Sequence, residues 1–305
     1  MPTPLIPQEI YLLERYTTLE YFGEMRDAWD AMVTLAENCL AEYVRHLPPD
    51  YRSRPLPEQP DITWGEVVLP NFRYTRQSLM GSYIEISHGD MDALGSAGNV
   101  RSAVTGQQSD YPPFWMTDEQ QSKYYALMGV ASEHARNISA TVDATWKAGN
   151  LAARYHAPSR GPLNPPQWPT YRLNPSIKVI TGKAVPKTGC YLPEIDDSCA
   201  AFMIAGEEAW PANVGYDETT MQNISEDPTT WTLIERVSDT GVPSTPSLTD
   251  AVRLRCAANH PCPKEGWWFT PAKADSRRHF KQGETMPDLG SAWGSTIWQW
   301  DENQS

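Results

Sequence analysis

The chain predicts an α+β protein, an N-terminal antiparallel helical bundle followed by a mostly antiparallel β domain built from a duplicated unit. Three observations lead there. Apolar residues recur at steps of three and four as far as Trp146, prolines then crowd the chain from Ala157 to Pro175, and beyond them one short phrase is written twice. The predicted division is 1–156 for the bundle, 157–175 for a Pro-rich linker and 176–305 for the β-rich domain. Within that domain the two copies occupy about 185–235 and 262–300.

Pro7 to Tyr16 reads as a short helix, with Pro7 suited to an opening position and Ile10, Leu13 and Tyr16 on one side. From Thr18 onward, Phe22, Met25, Trp29, Met32, Ala36, Cys39, Tyr43 and Leu47 form an amphipathic stripe, which Pro48-Pro49 stops. A Pro- and Arg-rich connector, Asp50 to Pro60, precedes a helix started by Pro70, with Leu79, Tyr83 and Ile86 on one face. Ser87-His88-Gly89-Asp90 ends it. Leu94 to Gln108, rich in small residues and glycine, reads as loop with at most one helical turn. Thr117-Asp118-Glu119-Gln120 is a capping box, and Tyr124, Leu127, Ala131, Ile138, Val142 and Trp146 extend the helix it opens. Three long helices with polar outer faces make a bundle.

The repeat pairs Val185-Pro186-Lys187-Thr188-Gly189-Cys190-Tyr191-Leu192-Pro193 with Cys262-Pro263-Lys264-Glu265-Gly266-Trp267-Trp268-Phe269-Thr270-Pro271. At equal spacing Gly206-Glu207-Glu208-Ala209-Trp210-Pro211 answers to Gly283-Glu284-Thr285-Met286-Pro287. With one indel between the copies, this predicts a duplicated small β unit packed against itself. Ile177 to Ile180, Trp231 to Ile234, Val252-Arg253-Leu254 and Ile297 to Trp300 are the strand candidates, each bounded by turn residues. Tryptophans such as Trp231, Trp267, Trp268, Trp293, Trp298 and Trp300 read as core filling for a small β layer in preference to a sugar-stacking platform.

The 305 residues carry a formal charge of -13, and its distribution is uneven. From Tyr191 to Asp250 there are twelve acidic residues against one basic residue, Arg236. From Ala251 to Lys281 seven basic residues face two acidic ones. The acidic stretch supplies the candidate partner-binding set: Glu194, Asp196, Asp197, Glu207, Glu208, Asp217, Glu218, Glu226 and Asp227. An acidic field repels phosphate backbones, so nucleic acid is disfavoured as a direct partner and a basic protein is favoured. The opening Met1-Pro2-Thr3-Pro4-Leu5 and the lack of a long apolar run predict no membrane span and a cytoplasmic protein.

Five cysteines, an odd number without close pairing, read as reduced buried thiols, and Cys256-x3-His260-x-Cys262 is not a zinc spacing. His88, His134 and His156 stand near helix ends without a nucleophile or second carboxylate at useful spacing. There is no phosphate loop, since Gly182-Lys183 lacks a glycine-rich lead, and no dinucleotide fingerprint, nucleophile elbow or paired-histidine motif. The expectation is therefore no catalytic residues, no cofactor and no metal.

Leu69-Pro70-Asn71, Gln77-Ser78-Leu79-Met80 and Ser87-His88-Gly89-Asp90 resemble the helical part of bacterial polymorphic-toxin immunity proteins, the immunity protein 71 and 72 families. Cys262 to Trp268, Gly283 to Pro287 and Trp298-Gln299-Trp300 resemble their β-rich part. The resemblance implies a non-catalytic inhibitor encoded beside a toxin delivered between competing bacteria. It supplies no toxin-contact positions, so the acidic set stands in for them, with a basic, nuclease-like toxin as expected partner and a homodimer left open. An effector-loading adaptor, a carbohydrate-binding module and an uncharacterised hydrolase are the competing readings.

Overall fold

A computed structural model describes residues 3–147, 151, 169–217, 219–220, 222–238, 255–270, 276–289, 296–301 and 304. The chain divides into two compact units, Met1–Tyr83 with Met91–Thr245, and Ile84–Asp90 with Pro246–Ser305. The first copy of the repeat thus groups with the helices, and the second copy belongs to the other unit.

The helices are α1 (Pro7–Tyr16), α2 (Leu19–Arg45), α3 (Pro60–Ile62), α4 (Leu69–Ser87), α5 (Ala97–Asp110) and α6 (Asp118–Val142). A π-helical stretch, Thr63–Val68, joins α3 to α4, so this helical path opens at Pro60, whose missing amide suits a first position, and not at Pro70 as expected. Thr18 caps α2 by accepting the Tyr21 amide at 3.1 Å. Thr117 and Gln120 close the expected capping box, with the Thr117 amide donating to Gln120 Oε1 at 3.0 Å. Phe22, Met25, Trp29, Met32, Ala36 and Cys39 are buried as the stripe predicts, and α6 answers with Tyr124, Met128, Ala131, Ala135 and Ile138. Trp29 Nε1 donates to Phe72 O at 3.1 Å, tying α2 to α4. Gly89, at φ +92, ends α4 in the left-handed region, where a side chain is penalised.

Three further expectations are corrected. Leu94 to Gln108 is mostly helix: α5 buries Ala97, Val100, Val104 and Gln107 at helical spacing, and packing of that stripe outweighs the poor propensity of Gly98 and Gly106. α6 stops at Val142, short of Trp146, because Ala144 turns the chain at φ 49. The Trp146 ring comes to rest against Tyr16, with centroids 6.0 Å apart. The predicted linker gives way at Thr170, where β1 (Thr170–Ile180) begins. Pro175 is accommodated because β1 is an edge strand whose register slips between Asn174 and Lys178. The part of the linker up to residue 168 lies outside the described residues.

The first copy contributes β2 (Gly189–Pro193), β3 (Ala201–Met203), β4 (Ala212–Val214), β5 (Ser225–Asp227) and β6 (Thr230–Ser238). β1, β6, β2 and β3 lie in that order in one antiparallel sheet, and β4 and β5 form a separate ribbon. The second copy contributes β7 (Arg255–Ala257), β8 (Gly266–Phe269), β9 (Arg278–Phe280) and β10 (Ile297–Trp300), ordered β7, β10, β8, β9. Val252-Arg253-Leu254 lies outside the described residues.

The two copies correspond residue by residue, each with its own sheet and its own core. Gly189 faces Met203 and Tyr191 faces Ala201, as Gly266 faces Phe280 and Trp268 faces Arg278, at a constant offset of 77 positions. Tyr191 donates its hydroxyl to Lys187 O at 2.6 Å, and Trp268 donates its indole N–H to Lys264 O at 3.1 Å. Trp231 Nε1 donates to Trp210 O at 2.8 Å, as Trp298 Nε1 does to Pro287 O at 2.9 Å. Gly206 and Gly283, at φ +92 and +83, make the same turn, their amides donating to Val185 O and Cys262 O. Val179, Val185, Tyr191, Met203, Ala209 and Trp231 fill one core, where Cys256, Cys262, Trp268, Phe280, Met286 and Trp298 fill the other.

The first sheet is fastened to the helices of its own unit. Glu14 Oε2 accepts the Tyr171 hydroxyl at 2.8 Å and pairs with Arg236 Nη1 at 3.2 Å, joining α1 to β1 and β6. The Thr3 amide donates to Ile195 O at 2.9 Å, and Cys199 Sγ donates to Trp146 O at 3.1 Å.

Candidate functional site

The correspondence breaks at one place. Ala212 and Leu289 still match at the offset of 77, but Trp231 and Trp298 match at 67, so copy 1 carries ten extra residues between them. That stretch is where β4 and β5 form their ribbon, with Ala212 opposite Asp227 and Val214 opposite Ser225. Copy 2 builds a sheet of the same strand order and its own core with the shorter connection.

The acidic residues fall into three places. Glu194, at the end of β2, is joined to Lys178 at 2.5 Å and accepts from Thr232 Oγ1 at 3.2 Å. The Lys178 ammonium holds its carboxyl below the usual range. Glu207 and Glu208 are exposed on the turn after β3, and Glu208 forms a backbone bridge with Ala184. Burial and then the neighbouring Asp92 charge push the Glu207 carboxyl up.

The third place is the ribbon and the loop tied to it. Asp197, at φ 52, accepts the Gly215 amide on its carbonyl at 2.8 Å, which anchors the loop carrying Asp196 and Asp197 to the ribbon. Asp217 Oδ1 accepts the Thr219 amide at 2.8 Å, and this backbone donor holds its carboxyl low. Glu226 is exposed on β5, and Asp227 accepts from Ser225 Oγ at 2.8 Å. Among the described residues, Asp197, Glu207, Glu208, Asp217, Glu226 and Asp227 make no ion pair. Glu218 lies outside the described residues.

Beside the ribbon, the end of α6 encloses a groove of about 570 Å3, lined among others by Asp143, Lys147, Trp210, Asn213, Asn223 and Glu226. Trp210 is 43% exposed and Ile224, on the same ribbon, 69% exposed. The backbone under Trp210 is nonetheless fixed, because its carbonyl accepts from both Trp231 Nε1 and Thr181 Oγ1. Two asparagines span from the helix to the ribbon: Asn213 Nδ2 donates to Ala144 O at 2.8 Å, and Asn223 Nδ2 donates to Asn213 Oδ1 at 2.7 Å. The relay ends on Asn223 Oδ1, a buried acceptor that has no donor. None of Asp143, Trp210, Asn213 and Asn223 belongs to the acidic set. The difference in length between the copies marks Asn213 and Asn223, which lie in the longer connection, but not Trp210, which precedes it, or Asp143, which follows α6.

Other described histidines and cysteines are engaged in contacts within the helices or buried in the cores. His134 Nε2 lies 3.0 Å from Glu24 Oε2 and its ring stacks on Tyr21, which makes it a link between α6 and α2. The His88 amide donates to Ile84 O at the end of α4, and His156 lies outside the described residues. All five cysteines are buried and none is in a disulfide. Burial pushes the Cys190 thiol well up and the Cys199 thiol to about 12. Among the described residues no group of three or more His, Cys, Asp or Glu is arranged to hold a metal ion. Among them, too, no helix is long and apolar enough to cross a membrane. No protein-family profile, curated protein or solved structure matches the chain.

Proposed function

We propose that this protein is an immunity protein, a non-catalytic inhibitor that neutralises a cognate bacterial toxin by forming a stoichiometric complex with it. The observation that carries the reading is the set of carboxylates on the first β unit that lack basic partners, held on a rigid, twice-built scaffold. Unpaired charge of one sign steers a basic protein and fixes its register, while exposed apolar groups such as Trp210 and Ile224 hold the complex. The resemblance of the helical and β-rich phrases to immunity proteins 71 and 72 supports the same assignment. The toxin is then a basic, nuclease-like enzyme acting in the cytoplasm, where its inhibitor resides. Nucleic acid is not a direct partner.

The test is to mix the protein with the product of the neighbouring gene and follow co-elution and toxin activity across a salt series. A one-to-one complex that abolishes activity and weakens as salt rises is expected. No complex at any salt would overturn the assignment, and a complex that leaves activity intact would transfer it to an effector-loading adaptor. A sugar platform draws little support, because Trp231, Trp268 and Trp298 are buried in the two cores.

A further inference from the structure

We infer that the groove between the end of α6 and the β4–β5 ribbon receives a lysine or arginine side chain of the partner protein. The inference rests on the inhibitor reading and narrows it to one feature. Three independent observations converge on it. The ribbon lies in the connection that is ten residues longer in copy 1 than in copy 2, and the described strands of copy 2 keep the same sheet order with the shorter connection. The groove it creates, about 570 Å3, falls within the range of sites that hold ligands or anchoring side chains, roughly 300–1,000 Å3. Its charged lining is two carboxylates, Asp143 and Glu226, against one ammonium, Lys147.

Asp143, the residue that ends the 25-residue helix α6, lines the groove together with Ala144 and Thr145. Asp143 adds a full charge at that end, and Glu226 adds another from the ribbon. The groove's own ammonium, Lys147, rests over the Tyr216 ring, 3.5 Å from its centroid. The asparagine relay is polarised from Ala144 O outward and ends on an acceptor that calls for a donor. Trp210 supplies an exposed indole that can cover the aliphatic stem or face the charged head of the incoming side chain. A guanidinium or ammonium meets the two carboxylates, the asparagine acceptor and the indole together, with Lys147 engaged by the Tyr216 ring.

The experiment titrates hexa-arginine peptide into the isotopically labelled full chain and follows the Trp210 indole and the Asn213 and Asn223 side-chain amides by NMR. These signals should shift and saturate first. Glu226→Gln and Asp143→Asn should each weaken that binding by about tenfold, the loss of one charge-assisted hydrogen bond. Glu119→Gln, exposed in the first turn of α6 and outside the groove lining, should leave it unchanged, and equal melting temperatures would confirm that each variant folds. Shifts spread evenly over the acidic surface, or binding indifferent to Glu226→Gln, would overturn the inference. If the toxin itself binds Trp210→Ala and Glu226→Gln as tightly as the unaltered protein, the groove falls and the inhibitor reading stands. If hexa-arginine seats in the groove but the neighbouring gene product forms no complex, the inhibitor reading falls and the groove stands.

Discussion

Copy 1 and copy 2 of the β unit share a strand register, a pair of left-handed glycines and a tryptophan-to-carbonyl hydrogen bond, yet only copy 1 carries the extra ten residues. The shared features are what it takes to close a small sheet over a core. The longer connection is where the copies differ, and in it stand Asp217, Glu226 and Asp227, with Trp210 just before it. A duplication thus provides its own control, because one copy shows which residues the fold requires of the other.

The sharpest way to break that equivalence is through the paired tryptophans. Trp231→Ala and Trp298→Ala each empty the centre of a core and remove an indole-to-carbonyl hydrogen bond, so each should cost about 3–5 kcal/mol in urea unfolding. A large cost for one and a negligible cost for the other would show that the two cores are not equivalent. A smaller effect comes from the turns. Gly206→Ala and Gly283→Ala meet no atom within 4 Å, so only the positive φ penalises them, by about 1 kcal/mol each on the same measurement.

The smallest effect should differ in sign between the copies. Glu207 lies near Asp92 and its carboxyl is pushed up, so its ionisation disfavours the folded state. That cost is absent below the unfolded carboxylate range and is present once pH has risen through the folded value. Glu207→Gln should therefore raise the melting temperature slightly at neutral pH, the gain vanishing on acidification. At the matching position Glu284 Oε2 accepts the Lys281 amide at 2.9 Å, so Glu284→Gln should lower it slightly. Calorimetry of both variants across pH decides the matter.

Much of this architecture is readable from residue order alone, and the exceptions have physical causes. The stripe of α2 and the Thr117 capping box are local signals, and local hydrogen bonding and burial obey them. The repeat shows through because turn glycines and core tryptophans tolerate few replacements. α5 escapes because Gly98 and Gly106 lower its propensity, while the burial of Val100 and Val104 that rescues it depends on a neighbouring helix. The acidic set is legible as composition, but its three-way division between Lys178, the turn after β3 and the ribbon is not. The groove is least legible of all, since Asp143 and Glu226 are brought together only by folding.

The most direct test replaces the copy-1 connection from Ala212 to Thr230 with the shorter copy-2 connection from Leu289 to Ile297, and measures calorimetrically the affinity of the neighbouring gene product. The exchanged protein should unfold cooperatively and lose binding by at least two orders of magnitude, about 3 kcal/mol. A folded exchange variant that still binds and neutralises the toxin with unchanged affinity would contradict the account.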